Sequence, residues 1–265
     1  MAAKGADASD VFDLRTWRRF VRADEFDQAS AYVETVLRDH GVGAVRSLRS
    51  AYADLSVDAG WMLLMDIPSG LEGDVGAAIE DFLWDIYRDP SCPYCHRGKA
   101  LRMLAARRVA GVEPLLVLEL TARSEERRSL ALLLLAEQGT PDCVGAVLER
   151  VRTLLTRPAR VGMTHKRLQT EVLFGVVTVF RCGDAGQLVA LARLLRRGVS
   201  NLASEERASL REFWPGCLDQ PEDAPVPEPN VSRVLEWTRG QVRGDWPDSE
   251  LPPFKPDSEL PPFKR

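Results

Sequence analysis

The chain has almost no strand signature. Strict polar–apolar alternation is nearly absent, and no Asn-Gly or Asp-Gly pair marks a tight hairpin. β-rich architectures are excluded on that ground. Long hydrophobic runs are missing too: Leu130 to Ala136 is the longest, far short of the ~20 apolar residues a membrane helix needs. The first residues, Met-Ala-Ala-Lys-Gly-Ala-Asp, lack the apolar segment of a secretory signal, which predicts a soluble cytoplasmic protein with no membrane partner. Lysine is scarce, confined to positions 4, 99, 166, 255 and 264, so arginine makes up the rest of the 35 basic residues. With abundant Ala, Leu and Val, this bias fits a GC-rich bacterial genome. Five cysteines, an odd number, argue against a disulfide framework. Gly-x-Ser-x-Gly, a phosphate-binding glycine loop and His-Glu-x-x-His are all absent. Acidic pairs such as Glu80-Asp81 and Glu125-Glu126 fit solvated faces or helix starts. The expectation is a protein that is not an enzyme.

What the chain does have is an internal period. Ser-Glu-Glu-Arg-Arg-Ser-Leu at 124–130 returns as Ser-Glu-Glu-Arg-Ala-Ser-Leu at 204–210, with Thr-His-Lys-Arg-Leu-Gln-Thr at 164–170 midway between them. Starts at 124, 164 and 204 are regularly spaced, as in stacked helical repeats. Ser124, Thr164 and Ser204 are predicted helix caps, and Arg127, Arg167 and Arg207 share one place in the three copies. Partner helices are predicted to open at Gly111, Gly139 and Gly183, each glycine ending the preceding helix in a left-handed cap. The pairs 111–138, 139–182 and 183–214 then read as helix–turn–helix units, with a weaker fourth beginning at Gly41.

The stretch from Gly111 to Gly139 resembles a HEAT or armadillo-type repeat. It has an apolar first helix, a short polar turn, an early arginine in the second helix and a Leu/Ala-rich run to glycine. The resemblance covers roughly residues 97–214. It implies an all-α solenoid of helix pairs that binds other macromolecules, and it implies no reaction. The second unit departs from the pattern with a longer turn (Thr156 to Gly162), and the N-terminal third fits it poorly.

Charge divides the chain. Residues 1–90 hold 9 basic against 17 acidic residues, 91–211 hold 20 against 11, and 212–265 hold 6 against 11. The basic block coincides with the repeats. Its clusters Arg107-Arg108, Arg150/Arg152/Arg157/Arg160 and Arg193/Arg196/Arg197 either line a face that attracts an acidic protein or pair with glutamates on neighbouring helices. The candidate partner-binding set is Arg150, Arg152, Arg193, Arg196 and Arg197. Nucleic acid is a weaker fit. The sequence pI is ≈ 5.6, and the aromatics of the basic block (Tyr94, Phe174, Phe180, Phe213) fall at core-like spacing.

Cys92-Pro-Tyr-Cys95-His96 is the sharpest local motif. It is similar to the redox site of glutaredoxins, where a helix start stabilises a thiolate, but an amphipathic helix over 79–88 precedes it instead of a strand. It also looks like a c-type haem attachment site, which the missing export signal argues against. Zinc is the remaining chemical reading: Cys92 and Cys95 have knuckle spacing, and His96 or a distant Cys143, Cys182, Cys217 or His165 would complete the ligands. A second closely spaced pair is missing, and a reduced loop whose thiols pack at a helix start needs no metal. No other cofactor is indicated.

The flanks complete the organisation. Residues 1–90 read as an acidic helical cap, with amphipathic helices over 10–22 and 24–39 and large apolar groups around Trp61 and Phe82. Residues 91–214 are the basic repeats, 215–230 a Pro- and acid-rich linker, and 231–244 a short helix with Val234, Leu235 and Trp237 on its apolar side. In the tail, 245–265, Pro-Asp-Ser-Glu-Leu-Pro-Pro-Phe-Lys occurs twice in succession, a composition that predicts disorder. Coding slippage and a tandem docking peptide both account for it. The combined expectation is a non-catalytic scaffold, a bacterial adaptor or an immunity-type protein, binding an acidic partner. The alternative is a zinc-containing or nucleic-acid-binding protein centred on Cys92, Cys95 and His96.

Overall fold

The computed structural model describes residues 11–156 and 171–242, and among these every regular element is helical. The middle copy of the heptapeptide, with Thr164, His165, Lys166 and Arg167, lies outside the described residues, as do Arg157, Arg160 and the duplicated tail. The chain divides into two units, residues 1–138 and 139–265.

In the first unit, α1 (Leu14–Arg22) is capped by Asp13, whose carboxylate accepts the Arg15 amide at 3.0 Å. α2 (Phe26–Ala53) breaks at Gly41, whose φ of 56° and ψ of −136° leave the helical region. The break falls where the sequence placed the start of a further unit. α3 (Val57–Asp66), α4 (Gly73–Arg88), α5 (Tyr94–Ala106), α6 (Val112–Glu119) and α7 (Glu125–Gln138) follow. α4 packs on α5, so residues 90 and 91 both lie inside this unit. The helices form a ladder: α2 meets α3 and α4, α3 meets α5, and α5 meets α6 and α7. Each rung follows from spacing. Ile79, Phe82, Leu83 and Ile86 fall on one face of α4, and burying each contributes about 1.5–3 kcal/mol. α7 is different, because Ala131 to Ala136 are all buried; within this unit it packs on α5 and α6.

The second unit contains α8 (Val144–Leu155), α9 (Glu171–Cys182), α10 (Ala185–Arg197), α11 (Ser204–Phe213) and α12 (Val231–Val242). α8 packs on α9, α10 on both, and α11 and α12 on α9. Gly175 permits the close approach of α9, since a Cβ there would collide with the Val151 side chain on α8. Trp237 anchors α12, its ring 5.4 Å from those of Phe174 and Phe213. Segment 215–230 is held in place: the Trp214 indole donates to the Pro227 carbonyl at 2.6 Å, and the Asn230 amide to that of Phe213 at 2.7 Å.

Two local expectations need correction. The matching heptapeptides do not occupy matching places. Ser124 caps α7, accepting the Arg127 amide at 3.3 Å, whereas α11 begins one residue earlier in register, with Ala203 at the cap and the Glu206 carboxylate accepting the Ala203 amide at 2.9 Å. Glu126 is accordingly exposed and Glu206 buried. The three glycines also differ: Gly111 is left-handed at φ 85°, while Gly139 and Gly183 are not among the positive-φ residues.

Candidate functional site

The Cys92–His96 turn sits at the start of α5, against α2 and the beginning of α3. His96 is 3% exposed and uses both ring nitrogens. Nε2 lies 2.7 Å from the Val57 carbonyl, which accepts only from an N–H; Nδ1 then accepts from the Tyr52 hydroxyl at 2.5 Å. Burial lowers the imidazole pKa and keeps it neutral. Gly60 makes room for the ring, since a Cβ there would stand 2.8 Å from Cε1. His96 thus ties α2, α3 and α5 together, and its ligand atoms are spent.

The two thiols are half-buried beside Tyr52. Cys92 Sγ also donates to the Asp89 carboxylate at 3.7 Å. Burial pushes both thiols up, and Asp89 adds to the effect at Cys92, opposite to what a thiolate nucleophile at a helix start requires. Of the other ligands considered, Cys143 donates to the Thr140 carbonyl at 3.1 Å and Cys182 to that of Gly139 at 2.9 Å. Burial takes the Cys217 thiol to about 11. His165 lies outside the described residues. Among the described residues no three His, Cys, Asp or Glu side chains come together to hold a metal ion, so the described donors by themselves do not make a four-ligand zinc site.

The arginines predicted to bind a partner are largely engaged inside the second unit. Arg150 pairs with buried Glu171 at 2.6 Å. Arg196, 6% exposed, donates to the carbonyls of Cys217, Glu222, Ala224 and Pro225 at 2.7–3.1 Å and to Gln220 Oε1 at 3.2 Å, which pins segment 215–230. Arg197 pairs with Glu222, Arg152 with Glu149 at 2.6 Å, and Arg193 lies 3.9 Å from Asp223. These last three pairs are at the surface, where such contacts are worth about 0–1 kcal/mol and exchange readily. In the first unit Arg107 donates to the Ser69 carbonyl at 2.8 Å and the Leu71 carbonyl at 2.5 Å, and Arg127 pairs with buried Glu119. The same carboxylate accepts the Tyr87 hydroxyl at 2.8 Å; burial, reinforced by this bond, raises the phenol to about 12.

A different basic feature escaped the sequence reading because it sits in the acidic third. Arg15, Arg18, Arg19 and Arg22 of α1 line a shallow, open hollow together with Ala23. None of the four forms an ion pair with a carboxylate among the described residues. Asp13, the nearest acid in sequence to Arg15 and Arg18, gives its oxygens to the Arg15 amide and to the Thr16 hydroxyl at 2.5 Å, and Arg19 lies 5.1 Å over the Phe20 ring. The i, i+3, i+4, i+7 spacing was the signal that could have found them. No helix among the described residues is long and apolar enough to cross a membrane. No protein-family model, curated protein or solved structure matches the chain.

Proposed function

We propose that this protein is a non-catalytic helical-repeat scaffold that binds an acidic protein partner through basic surface. The observation that supports the reading is the helix packing within each unit, in which a helix meets its neighbour and the next but one, as stacked helix pairs do. The buried titratable groups of the first unit support it further. Glu119, Asp66 and His96 are each tied to named structural partners, with Trp17 Nε1 donating to Asp66 at 2.7 Å and Ser30 Oγ at 2.6 Å. Such groups brace helices and leave recognition to exposed arginines. The test is fluorescence anisotropy of a labelled octaglutamate peptide titrated with the full chain. Binding that weakens as salt rises from about 50 to about 200 mM is expected. Tighter binding of duplex DNA, or turnover of a small molecule with no peptide binding, would contradict the reading.

A further inference from the structure

The geometry points to Arg15, Arg18, Arg19 and Arg22 on α1 as the docking site for a short acidic, carboxylate-bearing segment of that partner; this rests on the scaffold reading and locates its contact surface. Four guanidiniums on one face within about 10 Å of helix axis form four like-charged pairs at i,i+3 and i,i+4. Each weakens an isolated helix, and no carboxylate among the described residues pairs with them. Arg19 and Arg22 are eased by the C-terminal dipole of α1, whereas Arg15 and Arg18 lie outside its last turn. An incoming anion offsets the repulsion. Guanidinium forks match carboxylates bidentately, and the open hollow admits them.

Three features select an acidic polypeptide over other anions. A basic amphipathic helix commonly lies on a membrane, but the apolar side of α1 is committed to the core: Trp17 is 0% exposed, and its indole donates to Asp66. A nucleic-acid strand advances about 3.4 Å per phosphate, so the row reaches about three phosphates, few beside the 6–10 contacts of strong binders. The row is also bounded by Asp24, Glu25 and Asp27 within a region of 17 acidic against 9 basic residues, which repels a long polyanion and tolerates a short one. A segment presenting two to four Asp or Glu side chains fits between these limits.

The experiment compares octaglutamate binding to the full-length chain with binding to two variants. One is R15Q/R18Q/R19Q/R22Q; the other, R152Q/R193Q/R197Q, changes surface arginines of the second unit. The first is expected to weaken binding at least about tenfold and the second less than about twofold. Circular dichroism checks folding, and R15Q/R22Q, which changes only exposed positions, substitutes with a smaller loss should the quadruple variant fail to fold. Unchanged affinity in the α1 variants with loss in the other overturns this site and leaves the acidic-partner reading standing. A twelve-nucleotide single strand or phosphatidylserine vesicles binding more tightly than the peptide, and lost with α1, overturns the partner class. Absence of any peptide binding by the unmodified chain overturns both.

Discussion

Replacing Arg196 with methionine keeps the apolar stem and deletes the guanidinium that gathers five acceptors from residues 217–225. Hydrogen bonds to a charged donor contribute about 1.5–3 kcal/mol each, but the carbonyls of an edge segment regain water when the donor leaves. A buried acceptor left unsatisfied costs about 1–3 kcal/mol, and we take about 3 kcal/mol in all because the segment opens outward and only some of the five acceptors stay dry. That energy is local. It appears as a roughly hundredfold faster amide exchange at Cys217 and Ala224, whose N–H groups bond to Trp214 and Pro221 carbonyls, while amides of α9 change much less. Native-state hydrogen exchange followed by mass spectrometry or NMR reads this directly. Exchange in 217–225 within twofold of the unmodified chain would refute the idea that Arg196 holds this segment.

The remaining expectations are more compact. Glu206 has its pKa raised from 4.5 to about 7 by burial, so the folded state holds a proton the unfolded state has released. Stability therefore falls as pH rises from about 4.5 to about 7 and levels above, by at most about 3 kcal/mol; Glu206→Gln should abolish that slope in urea titrations at pH 5 and pH 8. Gly175→Ala should cost about 1–3 kcal/mol in thermal or urea unfolding, because the new methyl meets Val151. Tyr52→Phe removes the hydroxyl that His96 Nδ1 accepts and should cost about 1 kcal/mol; no loss of stability would show the contact to be idle. Chelators should leave the melting temperature unchanged, since both ring nitrogens of His96 are occupied; stoichiometric zinc whose removal lowers it would contradict that assignment.

Much of the helical organisation was legible from spacing alone. Gly41 was readable as a break because left-handed backbone favours glycine, and Gly183-Asp184 as a helix start because Asp184 and Gln187 cap each other at 2.8 Å. The heptapeptide at 124 and 204 misled, because a string repeated with one change does not fix where a helix begins. Glu206 reaching back to Ala203 shifts α11 by one residue, and local letters carry no trace of that choice. At the sites, the charge blocks counted residues without seeing partners. Glu171 lies 21 positions from Arg150, and the acceptors of Arg196 come from a segment read as a linker. Conversely, the acidic total of residues 1–90 hid four arginines on about two turns of α1. His96 read as a ligand because motif spacing says nothing of Tyr52 and Val57, 44 and 39 residues away.

The most direct measurement of the central claim is arginine side-chain NMR. Addition of octaglutamate to the isotopically labelled chain should move the Nε–H resonances of Arg15, Arg18, Arg19 and Arg22 and leave those of Arg150 and Arg196 in place. Movement confined to Arg152, Arg193 or Arg197, or none at all, would contradict an arginine face on α1 as the place where the partner is held.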